Sequence, residues 1–163
     1  MTFPAIRCLA LSAAISLSGQ SMAAPAPATP APAAPAPEYG PNLTLAQAET
    51  VMAVAEAEAR RVQAKVAIAI VEPNGSLTLF KRMTGANYNT IGAAQQKARA
   101  SAIYKRSTTA WIGHEASIVN RPDTIASAGG ELIIFRGQVV GAIGISGASQ
   151  ELAIARLAAA ALR

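Results

Sequence analysis

From Thr44 onward, apolar residues recur at steps of three and four: Leu45, Ala48, Met52, Ala55, Ala59 and Val62 share one stripe, while Glu49, Glu56, Arg60 and Gln63 face elsewhere. That spacing predicts an amphipathic helix ending near Arg61. Thr44 followed three residues later by Gln47 is a capping box that sets its start. Residues 65–71 (KVAIAIV) then switch to a short β-branched run. Pro73, Asn74 and Gly75 are a turn signal, and residues 77–81 return with alternating character, which predicts a β-hairpin. A Gly-containing loop over residues 83–87 leads to a second helix over residues 89–106. Ile91, Ala94, Ala98, Ser101 and Ala102 share one face of it, with Lys97 and Arg99 near the middle. Residues 107–118, carrying Trp111 and His114, predict a short third helix. Beyond Gly129 and Gly130, residues 132–135 and 139–146 predict a second hairpin, in which Gly141 and Gly144 mark close backbone approach or bulging. Ser149 is the expected N-cap of a closing helix over residues 150–162. Two hairpins separated by helices predict an α/β (α+β) domain: an antiparallel sheet with helices packed on it, not a doubly wound parallel sheet.

Upstream of Thr44 the pattern is of another kind. Residues 1–23 hold one basic residue, Arg7, a short apolar run from Cys8, and the small residues Ser21 and Ala23 at the −3 and −1 positions of a cleavage site. This is the layout of a signal peptide. The run is shorter than the roughly 20 residues that span a bilayer, so no transmembrane anchor is expected after cleavage and the protein is expected to be periplasmic or secreted. Residues 24–41 form a Pro/Ala-rich tether of extended, semi-rigid character. One domain, residues 42–163, remains. Cys8 is the only cysteine, so the mature chain is expected to lack disulfides and thiol chemistry. Loss of Arg7 leaves 13 basic against 9 acidic residues, a net +4. That balance suits small anionic ligands, while the lack of aromatic interleaving and the predicted export argue against nucleic acid.

Candidate chemistry is sparse. His114 is the only histidine and Asp123 the only aspartate, and no Gly-x-Ser-x-Gly elbow accompanies them, which argues against a serine hydrolase. Gly141, Gly144 and Gly147 are spaced G-x-x-G-x-x-G, not as a dinucleotide fingerprint. Zinc or non-haem iron requires three or four converging ligands that one histidine and scattered carboxylates do not supply. Haem requires less: an axial ligand, an apolar slot and cations for its propionates. His114, Tyr104 and Met83 are candidate ligands, and Lys97, Arg99 and Arg82 are candidate propionate partners. The same charges also read as plain helix-surface residues.

The run Val66-Ala67-Ile68-Ala69-Ile70-Val71, the turn Asn74-Gly75-Ser76-Leu77, Lys81-Arg82-Met83, Gln96-Lys97-Ala98-Arg99-Ala100-Ser101-Ala102, Gly129-Gly130, and the stretch from Gly137 to Gly147 together resemble the GlcG/HbpS-like family, which includes the C-terminal domain of PduO-type proteins. The resemblance implies a profilin-like fold, homo-oligomers and binding of haem or a related tetrapyrrole. For exported members it implies haem or iron sensing, or protection from oxidative stress. It also marks a departure. Many relatives carry a candidate haem-ligating histidine in the first hairpin turn, where this chain has Ser76, so that His114 or Tyr104 would have to serve or haem affinity would fall. Lys97 matches the family's helix motif and would contact an anionic ligand or tie a buried carboxylate. The pocket expected from these residues lies among the second helix, residues 83–87 and residues 111–114. Two alternatives remain open: a non-catalytic oligomeric adaptor or structural protein associated with a catabolic pathway, and an enzyme on a small anionic metabolite centred on Lys97.

Overall fold

The computed structural model describes residues 35–118 and 120–162, so the predicted leader and the tether up to residue 34 lie outside the described residues. Helix α1 (Leu45–Arg61) starts as its capping box requires: the Thr44 hydroxyl accepts from the Gln47 N–H, and Gln47 Oε1 accepts from the Thr44 N–H. Strands β1 (Ala67–Val71) and β2 (Leu77–Arg82) form the first hairpin, followed by helix α2 (Asn89–Tyr104). A 3-10 turn (Thr108–Trp111) and the short helix α3 (Glu115–Ile118) replace the predicted third helix. Gly113, at φ +83°, interrupts it. Strands β3 (Gly130–Phe135) and β4 (Gln138–Ser146) form the second hairpin, and helix α4 (Glu151–Ala159) closes the chain. Among the described residues no helix is long and apolar enough to cross a membrane.

The four strands form one antiparallel sheet in the order β2-β1-β4-β3, the two hairpins meeting at β1 and β4 with Ala69 opposite Gly144. Both central strands are buried on both faces. Their alternation is therefore one of size, not of polarity. Ile68 and Ile70 join Ile133, Ile143 and Ile145 in a thick core beneath α1 and α4. Ala67, Ala69, Val71 and Ala142 face Ala94, Ala98 and Ala102 of α2. A Cβ at Gly144 would strike the Ala94 carbonyl and come within 2.5 Å of the Ala98 nitrogen, so α2 lies directly on the strand backbone. The glycine flagged by the sequence is what permits that approach.

Two predicted boundaries are corrected. Ser149 does not cap α4: Gln150 holds the cap position without a side-chain bond, and the Glu151 carboxylate accepts from the N–H groups of Gly147 (2.6 Å) and Ala148 (3.2 Å). An acid in the first turn satisfies unpaired N–H groups there and suits the helix dipole. Docking of the chain also begins upstream of Asn42. Pairing of β1 with β4 stops at Val71 and Ala142, which leaves the backbone of Val139 and Val140 open on that side. The N-terminal segment fills the gap: Val139 N–H donates to Glu38 O, Gly40 N–H to Val139 O, and Leu43 N–H to Val140 O, at 2.8–3.1 Å. Tyr39, inside the predicted tether, is thereby part of the domain.

Candidate functional site

Lys97 lies on the sheet-facing side of α2 and is 2% exposed. Its ammonium forms an ion pair with the Glu151 carboxylate and donates to Ile145 O at 3.2 Å. The other Glu151 oxygen holds Gly147 and Ala148 N–H, so one carboxylate ties α2, the end of β4 and the start of α4 together. Of the two roles open to Lys97, an anionic ligand or a buried carboxylate, this contact is the second. The charge is held inside the fold. Lys97 stands three residues after Ala94 and four before Ser101, which is the spacing of the buried stripe. That periodicity was the signal in the sequence for its burial.

The remaining predicted residues do not converge. Arg82 faces Ala67 at the open end of the first hairpin, donates to Ala86 O at 2.6 Å and stacks on exposed Tyr88, 4.8 Å from the ring centre. Met83 lines a cleft of about 220 Å³ there with Glu56, Arg60, Lys81, Arg82 and Thr84. Glu56 bridges Lys81 and Arg60 in it, and these two cations hold its carboxyl below the usual glutamate range. Arg99 lies against the turn at the hairpin's other end, where its side chain packs on Gly75 and its Nε pairs with Asp123 at 2.8 Å. The Tyr104 ring meets Trp111 edge to face at 5.4 Å and its hydroxyl donates to Pro122 O. His114 follows Trp111 on the exposed segment ahead of α3. The expected pocket of α2, residues 83–87 and residues 111–114 is thus split among three places.

A different cleft forms beside the first hairpin turn. Tyr39, Asn42, Pro73, Asn74 and Ile103 enclose about 370 Å³, mostly apolar and open to solvent, within the ~300–1,000 Å³ range of small-molecule sites. The Tyr39 hydroxyl lies 2.9 Å from Ala102 O and 3.1 Å from Ile103 O at the end of α2, and this fixes the ring as one wall. Lys105 places its ammonium 4.7 Å from the Tyr39 ring centre, a cation–π contact. Arg99 flanks the turn from the α2 side, and Asp123 beside it raises the guanidinium pKa further. Asn42 donates to the Glu72 carboxylate at 2.9 Å. The cleft is therefore an apolar slot with two cations and a carboxylate near it. Tyr39, Asn42, Ile103 and Lys105 were not singled out from the sequence. Their signals were a first aromatic residue closing the Pro/Ala run, and an isoleucine one helical turn after Arg99.

Haem, implied by the resemblance, fits this cleft in part. The apolar wall suits a planar macrocycle, and Lys105 and Arg99 suit its carboxylates. Axial coordination fits poorly: among the described residues the lining holds no histidine, methionine or cysteine, and its one phenol, Tyr39, turns its hydroxyl to two backbone carbonyls.

Residues 43–162 match the family described as "Haem degrading protein HbpS-like". Protein GlcG of Escherichia coli K12 is 30% identical over 111 residues, which is 64% of this chain and 81% of that protein. The crystal structure of a Streptomyces reticuli HbpS double mutant superposes with TM-score 0.71 and 27% identity, covering 85% of this chain and 99% of that one. A crystal structure of a PduOC:heme complex superposes with TM-score 0.67 and 25% identity, covering 75% of this chain and 96% of that one. The profilin-like antiparallel fold expected from the sequence is the fold of these structures.

Proposed function

The chain belongs to the HbpS-like family, and from that premise we propose that it is an exported module that binds haem or a related tetrapyrrole. The ligand occupies the cleft of Tyr39, Pro73, Asn74 and Ile103, with its carboxylates toward Lys105 and Arg99. The observation that carries this reading is the apolar cleft itself. It stands at the turn where the resemblance puts a ligand histidine, and it is flanked by cations. A neighbouring fold that holds haem supports the ligand class, and the leader pattern of residues 1–23 supports export. The module works as a homo-oligomer in haem or iron sensing or in protection from oxidative stress.

Titration of the purified chain with haem, followed by absorbance, tests the proposal. A saturable Soret change at micromolar haem is expected. It should be lost in Ile103→Glu, which puts a charge into the apolar wall, while circular dichroism stays unchanged. His114→Ala should bind as the parent does. A stable multimer with no haem response would overturn the proposal and leave the adaptor reading in its place.

A further inference from the structure

Four side chains commonly ligate haem iron: histidine, cysteine thiolate, methionine and tyrosine phenolate. Those among the described residues can each be placed. The only histidine, His114, is on the exposed segment before α3 and does not line the cleft. Met52 is 3% exposed, in the core on the other face of the sheet. Met83 lies at the opposite end of the first hairpin, among Arg60, Lys81 and Arg82. Tyr88 stacks on Arg82, and Tyr104 is engaged by Trp111 and Pro122. Cys8, Met1 and Met22 fall outside the described residues, in the predicted leader.

Tyr39 is the one phenol in the cleft wall, and its surroundings oppose the phenolate that a ligand must become. Its hydroxyl points at two carbonyl oxygens at the end of α2. That is the negative pole of the helix, where an anion is disfavoured. Partial burial also raises its pKa. Lys105, the adjacent cation, is held over the ring as an ammonium, which has no lone pair to offer. At the turn, Ser76 is exposed and its N–H bonds the Asn74 side chain. A serine hydroxyl is a weak substitute for imidazole.

We infer that the cleft takes a tetrapyrrole by its apolar plane and its carboxylates, with no axial bond from this chain, so that metal-free protoporphyrin is as good a ligand as haem. This rests on the binding reading above and narrows its ligand class from haem to tetrapyrrole dicarboxylates in general. Apolar burial and cation–carboxylate contacts do not depend on the metal.

Parallel titrations of the full chain with haem, by absorbance, and with metal-free protoporphyrin, by its fluorescence, decide the matter. The two dissociation constants should agree within about threefold, since a factor of ten corresponds to 1.4 kcal/mol and an axial bond would exceed it. His114→Ala should retain both ligands, whereas Tyr39→Phe, which frees the ring that walls the cleft, should weaken both by the same factor. Haem binding more than about tenfold tighter than protoporphyrin, with the excess lost in His114→Ala or Tyr39→Phe, would overturn the inference while leaving the binding reading intact. Binding of neither ligand would overturn the binding reading itself and this inference with it.

Discussion

The two faces of the sheet are built by opposite means. Under α1 and α4, five isoleucines of the strands meet Val51, Met52 and Ile154, and the layer is held by volume. On the α2 face, alanines meet alanines and a glycine, and the helix backbone rests on the strand. So thin a layer removes little apolar area from water, and area is what the hydrophobic effect scales with. A buried ion pair, Lys97–Glu151, sits at this thin interface, and the apolar cleft opens at the end of the same helix. The thick face supplies stability in many small, tolerant contacts. The thin face sets position through a few contacts that cannot be exchanged.

The largest expected effect is at Lys97. Lys97→Ala leaves the Glu151 carboxylate without its cation in a site where its side chain is 15% exposed, and denaturant unfolding should show a loss of about 3–5 kcal/mol. The double variant Lys97→Met, Glu151→Gln keeps an acceptor for Gly147 and Ala148, and should recover more than half of that loss. A loss in Lys97→Ala no larger than that of an exposed pair would erase the distinction between the faces.

A smaller pair of effects sharpens the comparison directly. Gly144→Ala drives a methyl into the backbone of Ala94 and Ala98 and should cost about 1–3 kcal/mol. Ile143→Val, one residue away on the thick face, removes a methylene from the core and should cost about 0.5–1.5 kcal/mol. Equal losses would mean that the thin face can relax as the thick one does.

The smallest effect is at the surface, in acid. Lys81 first and Arg60 second hold the Glu56 carboxyl below the usual glutamate value near 4.5. The lowered folded-state value means that this network stabilises fully above about pH 4.5, and that its contribution fades as pH falls through the lower value. Melting temperatures between about pH 5 and pH 3 should therefore fall less steeply in Glu56→Gln than in the parent. An unchanged slope would show that the network adds nothing to stability.

Much of this was legible in the chain. The capping box of Thr44 and Gln47, the isoleucine–alanine alternation of residues 67–70, the turn at Pro73-Asn74-Gly75 and the glycine at 144 act through neighbours in sequence or through backbone sterics. Local rules therefore reached both hairpins and three of the helices. The candidate site was much less legible. Arg82, Met83, Arg99, Tyr104 and His114 were chosen for what their side chains can do, and side-chain chemistry does not say which end of a hairpin a residue occupies. The fold put Met83 and Arg99 at opposite ends of β1 and β2, and it left His114 outside the slot.

By itself, then, the sequence determined most of the elements, the two hairpins and the family, because these follow from period, propensity and motif order. The tertiary structure alone decided that Lys97 is spent on Glu151, 54 residues away, and that Tyr39 returns from the predicted tether to wall a cleft against Ile103, 64 residues away. Both outcomes depend on which unpaired groups the folded sheet leaves open. Such groups exist only once the strands have been laid side by side.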